Sequence, residues 1–275
     1  MSRRVVISGV GTVTGFGYGA EALWDGLVAG RSCLRRITRF DPSGLRCQIA
    51  GEARDFSARD HVPKSYRKAV KVMARDIELA VAAAKAAVES AGIVTKGTLA
   101  DEAGAPTYAP ARVGCQIGAG LIAAELPELT MALATSTDED GKFSYARWGK
   151  EGMDNLTPLW LLKYLPNMLA CHVTIIHEAC GPSNTITCGE ASGTLSIGES
   201  MRVIQRDDAD LCFSGGAESK INAMGMLRLE YAGRLGPVSA EPGRDEEVWR
   251  TVRPFDREAR GGAVGEGAGI VLLEA

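Results

Sequence analysis

Several things are scarce in this sequence, and each scarcity excludes something. Aromatic residues make up only 6% of the 275 residues, although 45% are hydrophobic. No apolar stretch is long enough to span a bilayer. The formal net charge is −3, so there is no electrostatic reason to expect nucleic acid or an anionic membrane as partner. The seven cysteines contain no CxxC pair, and their number is odd. This argues against a disulfide framework or a zinc site and makes a reducing cytoplasm the default. No cofactor or metal is expected. The opening MSRRVVISGVGTVTG has two arginines and a short apolar run broken by Gly9 and Gly11; it reads as a first strand and turn, not a signal peptide.

What is abundant is glycine, 33 residues, beside alanine- and valine-rich runs. That combination suits close helix–sheet contact in an α/β protein. Residues 5–10 form a β-branched run that reads as a buried strand, and a short helix over 20–29 ends at Gly30. Residues 31–66 look like an irregular excursion. Val70, Met73, Ile77, Val81 and Ala84 recur at helical spacing, which predicts a long helix over 67–91 stopped by Gly92. A strand at 112–120 follows, then a polar surface excursion at 136–156. A helix over 159–169 should kink or restart at Pro166. Beyond it come a strand at 184–188, a helix at about 191–205, a strand at 210–214 and a closing strand at 267–273. Strands alternating with helices predict a mixed, mostly parallel five-stranded sheet flanked by helices on both faces.

Two motifs invite a chemical reading. The first, GVGTVTGFG at 9–17, follows a strand and suggests a dinucleotide-binding loop. The fingerprint would need glycine at Thr14, and no acidic residue ends a second strand at the expected distance, so a glycine-rich strand-to-helix turn is the simpler account. The second motif is GPSNTITCGEASG at 181–193. An apolar strand ends at a tight turn and a helix starts at once, putting Glu190 at the helix amino terminus. Free backbone N–H groups and the helix dipole favour an anion there. An acyl-transfer enzyme wants its nucleophile at such a place, because the same field lowers a thiol pKa and the N–H groups can form an oxyanion hole.

With this motif in hand the chain resembles the β-ketoacyl-(acyl-carrier-protein) synthases of fatty acid and polyketide synthesis. The resemblance runs through RRVVISGVGTVTGFG, DGLVAGRS, RFDPS, ESAGI, IGAG and NMLACHVTI. It continues through GPSNTITCGEASG, DADLCFSGGAES and RPFDREARGGAVGEGAGIVLLE, in order over nearly the whole chain. It implies the amino-terminal half of a thiolase-like fold over residues 1–275, with the carboxy-terminal half absent, and usually a homodimer. It also implies an acyl carrier protein, bearing an acyl or malonyl thioester, as partner.

The sequence departs from the family at two points. The family nucleophile is a cysteine, and matching the GPS and Ser-Gly flanks puts Glu190 at its place. Cys188, two residues earlier, would share a strand face with Glu190; as a nucleophile it would be displaced from the turn, and a buried small hydrophobe is the commoner fate of a free cysteine. The family's catalytic histidines and lysine lie in the carboxy-terminal half, and none of His61, His172 and His177 has a matching context. A carboxylate is a weak nucleophile towards thioesters, so condensation through Glu190 is not expected.

Family members with glutamine at this place resemble non-condensing chain-length factors or decarboxylating loading domains, in which the amide imitates an acyl group. An ionised Glu190 would fill the oxyanion hole with its own charge. A protonated one would imitate the amide, and a purely structural one would sit in the first helical turn. Glu218 and Glu266 read as structural, and the acidic runs at 138–140 and 245–247 as solvated loop charges.

Three functions follow. One is a chain-length-factor-like subunit that pairs with an active ketosynthase as a heterodimer. Another is an acyltransferase, either a 3-oxoacyl-(acyl-carrier-protein) synthase or a malonyl decarboxylase, completed by a carboxy-terminal half. The third is a nucleotide-binding α/β domain using residues 9–17.

Overall fold

The computed structural model describes residues 3–99, 104–238 and 252–275. The chain begins with β1 (Val6–Thr14), a two-residue β2 (Gly17–Tyr18), α1 (Ala20–Val28), β3 (Leu34–Arg36) and β4 (Ile49–Gly51). There follow α2 (Arg75–Ala91), α3 (Lys96–Leu99), β5 (Val113–Gly118), α4 (Leu126–Thr135), α5 (Tyr145–Arg147) and α6 (Met168–His177). The last part holds β6 (Ser183–Ile186), α7 (Ser192–Gln205), β7 (Leu211–Glu218), α8 (Ala223–Tyr231), β8 (Val264–Gly265) and β9 (Gly267–Glu274).

The main sheet has six strands in the order β2-β1-β9-β7-β5-β6. The β7–β5 and β5–β6 pairs are parallel, and β9 runs antiparallel between β1 and β7. Four of the five long strands therefore point the same way. The sixth strand, β2, is a hairpin return of β1. A second, three-stranded sheet, β3-β4-β8, forms inside the segment expected to be irregular. Strands of two or three residues carry too little alternation to be read from a sequence.

Successive side chains of a strand face opposite ways, and the two faces of the main sheet are both covered. Leu211, Phe213, Ile270 and Leu272 join Ile77 and Val81 of α2 and Leu169 and Val173 of α6 in one core. Cys212 and Leu273, one position out of step, pack with Val203 and Ile204 of α7 in another. The expected burial of β1 holds only in part: Gly9, Gly11 and Val13 are buried, whereas Ile7 is 58% exposed and Val10 is also exposed.

The glycines at 9 and 11 serve contact, not nucleotide binding. They lie within β1, and a Cβ on Gly11 would stand 2.0 Å from the Ala83 carbonyl oxygen and 2.3 Å from the Ala87 nitrogen. Alanine on α2 and glycine on β1 let the two backbones touch. Gly11→Ala should therefore destabilise the protein by about 3 kcal/mol, the upper part of the overpacking range. Urea denaturation measures this, and a loss below about 1 kcal/mol would show that the contact relaxes cheaply.

Two helix boundaries differ from expectation. α2 starts at Arg75, because Met73 and Ala74 are extended and residues 64–72 form two short 3-10 turns. Arg75 is drawn into ion pairs with Glu266 and Glu78, which fixes the first turn. The end is as expected, with Gly92 in the left-handed conformation at φ 66°. At Pro166 the chain restarts: a 3-10 turn over Trp160–Tyr164 gives way to α6 from Met168. Among the described residues no helix is long and apolar enough to cross a membrane.

Candidate functional site

β6 and α7 build the site. α7 presents Ser192, Ser196 and Ser200, four apart and all buried, to the sheet. Ser196 Oγ donates to the Gly215 carbonyl at 2.8 Å and accepts from the Gly215 N–H at 3.0 Å. Ser200 and Ser214 share a hydroxyl–hydroxyl bond of 2.5 Å. Small side chains let the helix lie close to the strands, and at Gly118 a Cβ would stand 2.4 Å from the Gly193 nitrogen. The amino end of α7 is thereby fixed over the carboxyl ends of β5 and β7. This repeat of serines was readable in the sequence, at i, i+4 and i+8, but nothing there gave it a role.

The turn that enters α7 has Gly189 at φ 59°. Ser192 Oγ accepts from the Cys188 N–H at 2.8 Å and donates to the Gly189 carbonyl at 2.6 Å. The residue flanking the helix is Ala191, so Glu190 stands one position outside it. Its carboxylate is therefore not a first-turn charge. The side chain is 80% exposed and pairs with Arg234. Hydrogen bonding from its own backbone N–H and the Arg234 guanidinium hold the carboxyl below the usual glutamate range. Of the protonation states open to the sequence reading, this geometry favours the ionised one.

Glu190 lines a cavity of about 230 Å³ together with Gly118, Gly120, Gly193, Gly216 and Glu218. Cys188 is exposed, which corrects the expectation of a buried small hydrophobe. β6 ends at Ile186, two residues before it, so it lies on the turn and not within the strand. None of the three histidines lines the cavity. His172 is bonded through Nδ1 to the Tyr66 hydroxyl at 2.8 Å, and His177 through Nδ1 to the Thr95 hydroxyl at 2.7 Å. Burial pushes the His177 imidazole down to about 4, so it is neutral. His61 stacks on Tyr18 at 4.1 Å.

The other acidic candidates divide. Glu266 is buried as expected of a structural residue, accepting from Arg75 Nη2 at 2.8 Å, from the Ser219 hydroxyl at 2.8 Å and from the Ala53 N–H at 2.9 Å. Glu218 is half-exposed at the cavity wall and pairs with Lys220 at 2.7 Å. Residues 138–140 are a loop in which the Asp138 carboxylate accepts from the Asp140 and Lys142 N–H groups. The run at 245–247 lies outside the described residues.

Two residues that sequence reasoning missed matter here. Arg234 lies in the loop after α8, 44 positions from Glu190, in a stretch that reads only as a turn. Asp76 is 3% exposed and lines a second cavity of about 280 Å³, next to Ile122, Tyr164 and Asn222. The wall between the two cavities is made by the loops after β5 and β7. Lys220 Nζ donates to the Leu121 carbonyl at 2.7 Å and Asn222 Nδ2 to the Ala123 carbonyl at 2.9 Å.

A six-stranded sheet with a small-residue helix seated on its carboxyl edge, and a tight turn feeding that helix, can be compared with known proteins. Residues 2–275 match the family model for the β-ketoacyl synthase amino-terminal domain. The chain belongs to that family. It is 28% identical over 273 residues to 3-oxoacyl-[acyl-carrier-protein] synthase 2 of Staphylococcus aureus (strain N315), covering 99% of this chain and 58% of the relative. With the synthase 2 of Synechocystis sp. (strain ATCC 27184 / PCC 6803 / Kazusa) the identity is 30% over 272 residues, with the same coverage. The chain thus spans about 58% of the length of these curated relatives.

Among solved structures, a β-ketoacyl synthase from Burkholderia phymatum STM815 superposes with a TM-score of 0.73 at 24% identity, covering 100% of this chain and 59% of that one. The ishigamide ketosynthase/chain length factor gives 0.72 at 27% identity with the same coverage. A type II polyketide synthase acyl-carrier protein in complex with its ketosynthase also gives 0.72, at 20% identity, covering 100% of this chain and 58% of that one. The fold of the β-ketoacyl synthase amino-terminal domain is thiolase-like, as the motifs led one to expect.

Proposed function

We propose that this chain is the amino-terminal part of a non-condensing, chain-length-factor-like subunit of a fatty acid or polyketide synthase, and that Glu190 takes the place of the family nucleophile. One observation carries the reading: the residue on the turn before α7 is a carboxylate held ionised by Arg234. An ionised carboxylate at an oxyanion pocket repels the developing negative charge of acyl transfer, whereas a thiolate would form the acyl-enzyme. The likeness to the ishigamide ketosynthase/chain length factor supports the same assignment. Its partners on this reading are an active ketosynthase, as a heterodimer, and an acyl carrier protein. Lys64, Lys68 and Lys71 are exposed along one short stretch, which suits a partner that carries phosphate. The seven free cysteines suit a reducing cytoplasm.

Intact mass after incubation with a medium-chain acyl carrier protein tests the reading. The protein should gain no acyl adduct, and it should co-purify with a ketosynthase that does. A stable adduct that disappears in Cys188→Ala would make Cys188 a displaced nucleophile and sink the proposal. Release of carbon dioxide from a malonyl carrier would favour the malonyl decarboxylase instead.

A further inference from the structure

The Glu190–Arg234 pair is more than a surface ion pair, because its two halves are anchored differently. Arg234 sits on a pinned backbone: its N–H donates to the Leu229 carbonyl at 3.0 Å, and its carbonyl accepts from the Gly262 N–H at 3.0 Å. Glu190 sits on a turn whose preceding residue, Gly189, is left-handed. The cavity beside it is walled largely by glycine backbone. No cationic side chain lines that cavity, and Lys220, on the loop beyond Glu218, is already committed to Glu218 and to the Leu121 carbonyl. Arg234 is thus the guanidinium beside the cavity, and its contact there is the protein's own carboxylate. A guanidinium prefers planar, bidentate recognition of a carboxylate. At about 230 Å³ the cavity falls below the roughly 300–1,000 Å³ of drug-sized sites, so it suits a short acyl group and not a long chain.

We propose that Arg234 is a carboxylate-recognition residue and that Glu190 is its built-in occupant, so that the cavity accepts a short acyl group bearing a free carboxylate once Glu190 is removed or displaced. The inference rests on the reading of Glu190 as the blocking residue of this site. It makes the pair an autoinhibitory contact: an intramolecular carboxylate competes with an external one at a high effective concentration.

Calorimetric titration with monomethyl malonate, an anion, against dimethyl malonate, its neutral ester, tests this. Glu190→Ala should bind the anion at least about tenfold more tightly than the parent protein, as expected when an intramolecular competitor is lost. The neutral ester should show no such gain. Glu190→Ala/Arg234→Gln should lose the gain. Glu190→Gln, which keeps the side-chain length, should behave like Glu190→Ala, because an amide cannot neutralise the guanidinium. Equal binding by parent and Glu190→Ala, binding by neither, or a gain that survives in the double variant would each overturn the proposal. No carrier protein enters this titration. An acyl adduct on Cys188 would therefore remove the non-condensing function while leaving the carboxylate site standing, and a flat titration would do the reverse.

Discussion

At pH 8, Asp76→Asn should unfold at a higher urea concentration than the parent protein, although it removes a buried charge from a helix amino terminus. The expected gain is about 2 kcal/mol or more, shrinking towards zero as the pH falls to 4. Asp76 is almost wholly buried, and burial pushes its carboxyl from the ordinary 3.8 up to about 7, against the partial relief of Lys220 and the Ser219 N–H. The guanidinium of Arg75, its neighbour in sequence, is committed to Glu266 and Glu78. For a carboxyl whose folded pKa is raised, the folded state holds the proton that the unfolded state has released. Its contribution is harmless below the unfolded value, grows more unfavourable as the pH rises, and is complete above about 7. The distance from 3.8 to about 7, at about 1.4 kcal/mol per pH step, bounds the effect near 4 kcal/mol. Asparagine keeps an oxygen for the Ser219 N–H and carries no charge. Urea midpoints at pH 5, 6 and 8 for both proteins measure the difference, and parallel pH profiles would show that Asp76 ionises at its ordinary value.

Asp76 also marks the boundary of what a sequence discloses. The stop of α2 was legible because Gly92 is a local signal, whereas its start was not, because Arg75 and Asp76 are fixed by partners at 266 and 219. The strand, turn and helix around 181–205 were legible, since apolar run, glycine and serine spacing all lie within one window. Glu190 was placed at the helix terminus to within one residue, and that one residue matters: just outside the helix, the carboxylate answers to Arg234. The pairing itself was illegible, because a turn sequence 44 residues away gives no sign of which charge it will face. Cys188 was misjudged for a related reason. A free cysteine is usually buried, but the strand stops at Ile186 and the turn carries Cys188 into the open.

Arg75→Met should be the more damaging change at the same end of α2, costing about 3 kcal/mol at pH 7. Glu266 has no exposed side-chain surface, and Arg75 approaches both its oxygens, at 2.8 and 3.1 Å. The desolvation of Glu266 is outweighed by the Arg75 guanidinium, with help from the Ser219 hydroxyl and Arg39, so its carboxyl stays below the usual range. Removing Arg75 leaves a buried carboxylate with Arg39 at 3.4 Å as its remaining cation, and an uncompensated buried charge typically costs about 3–5 kcal/mol. A folded pKa that is lowered gives stability present above the unfolded value and lost as the pH falls through the folded one. The penalty of Arg75→Met should therefore ease in acid, the opposite of the Asp76 profile. Glu266→Gln in the Arg75→Met background should recover part of the loss, because the amide can still accept from Ser219 and Ala53 without a charge to compensate. If Arg75→Met cost less than about 1 kcal/mol, Arg39 would have to carry the carboxylate alone. Ser219 opens the loop after β7 that forms the cavity wall, so this ion pair, far from Glu190 in sequence, helps to set the shape of its site. Neighbours in the chain, Arg75 and Asp76 thus have opposite electrostatic fates, one completing a buried pair and the other leaving a charge with no cation in contact.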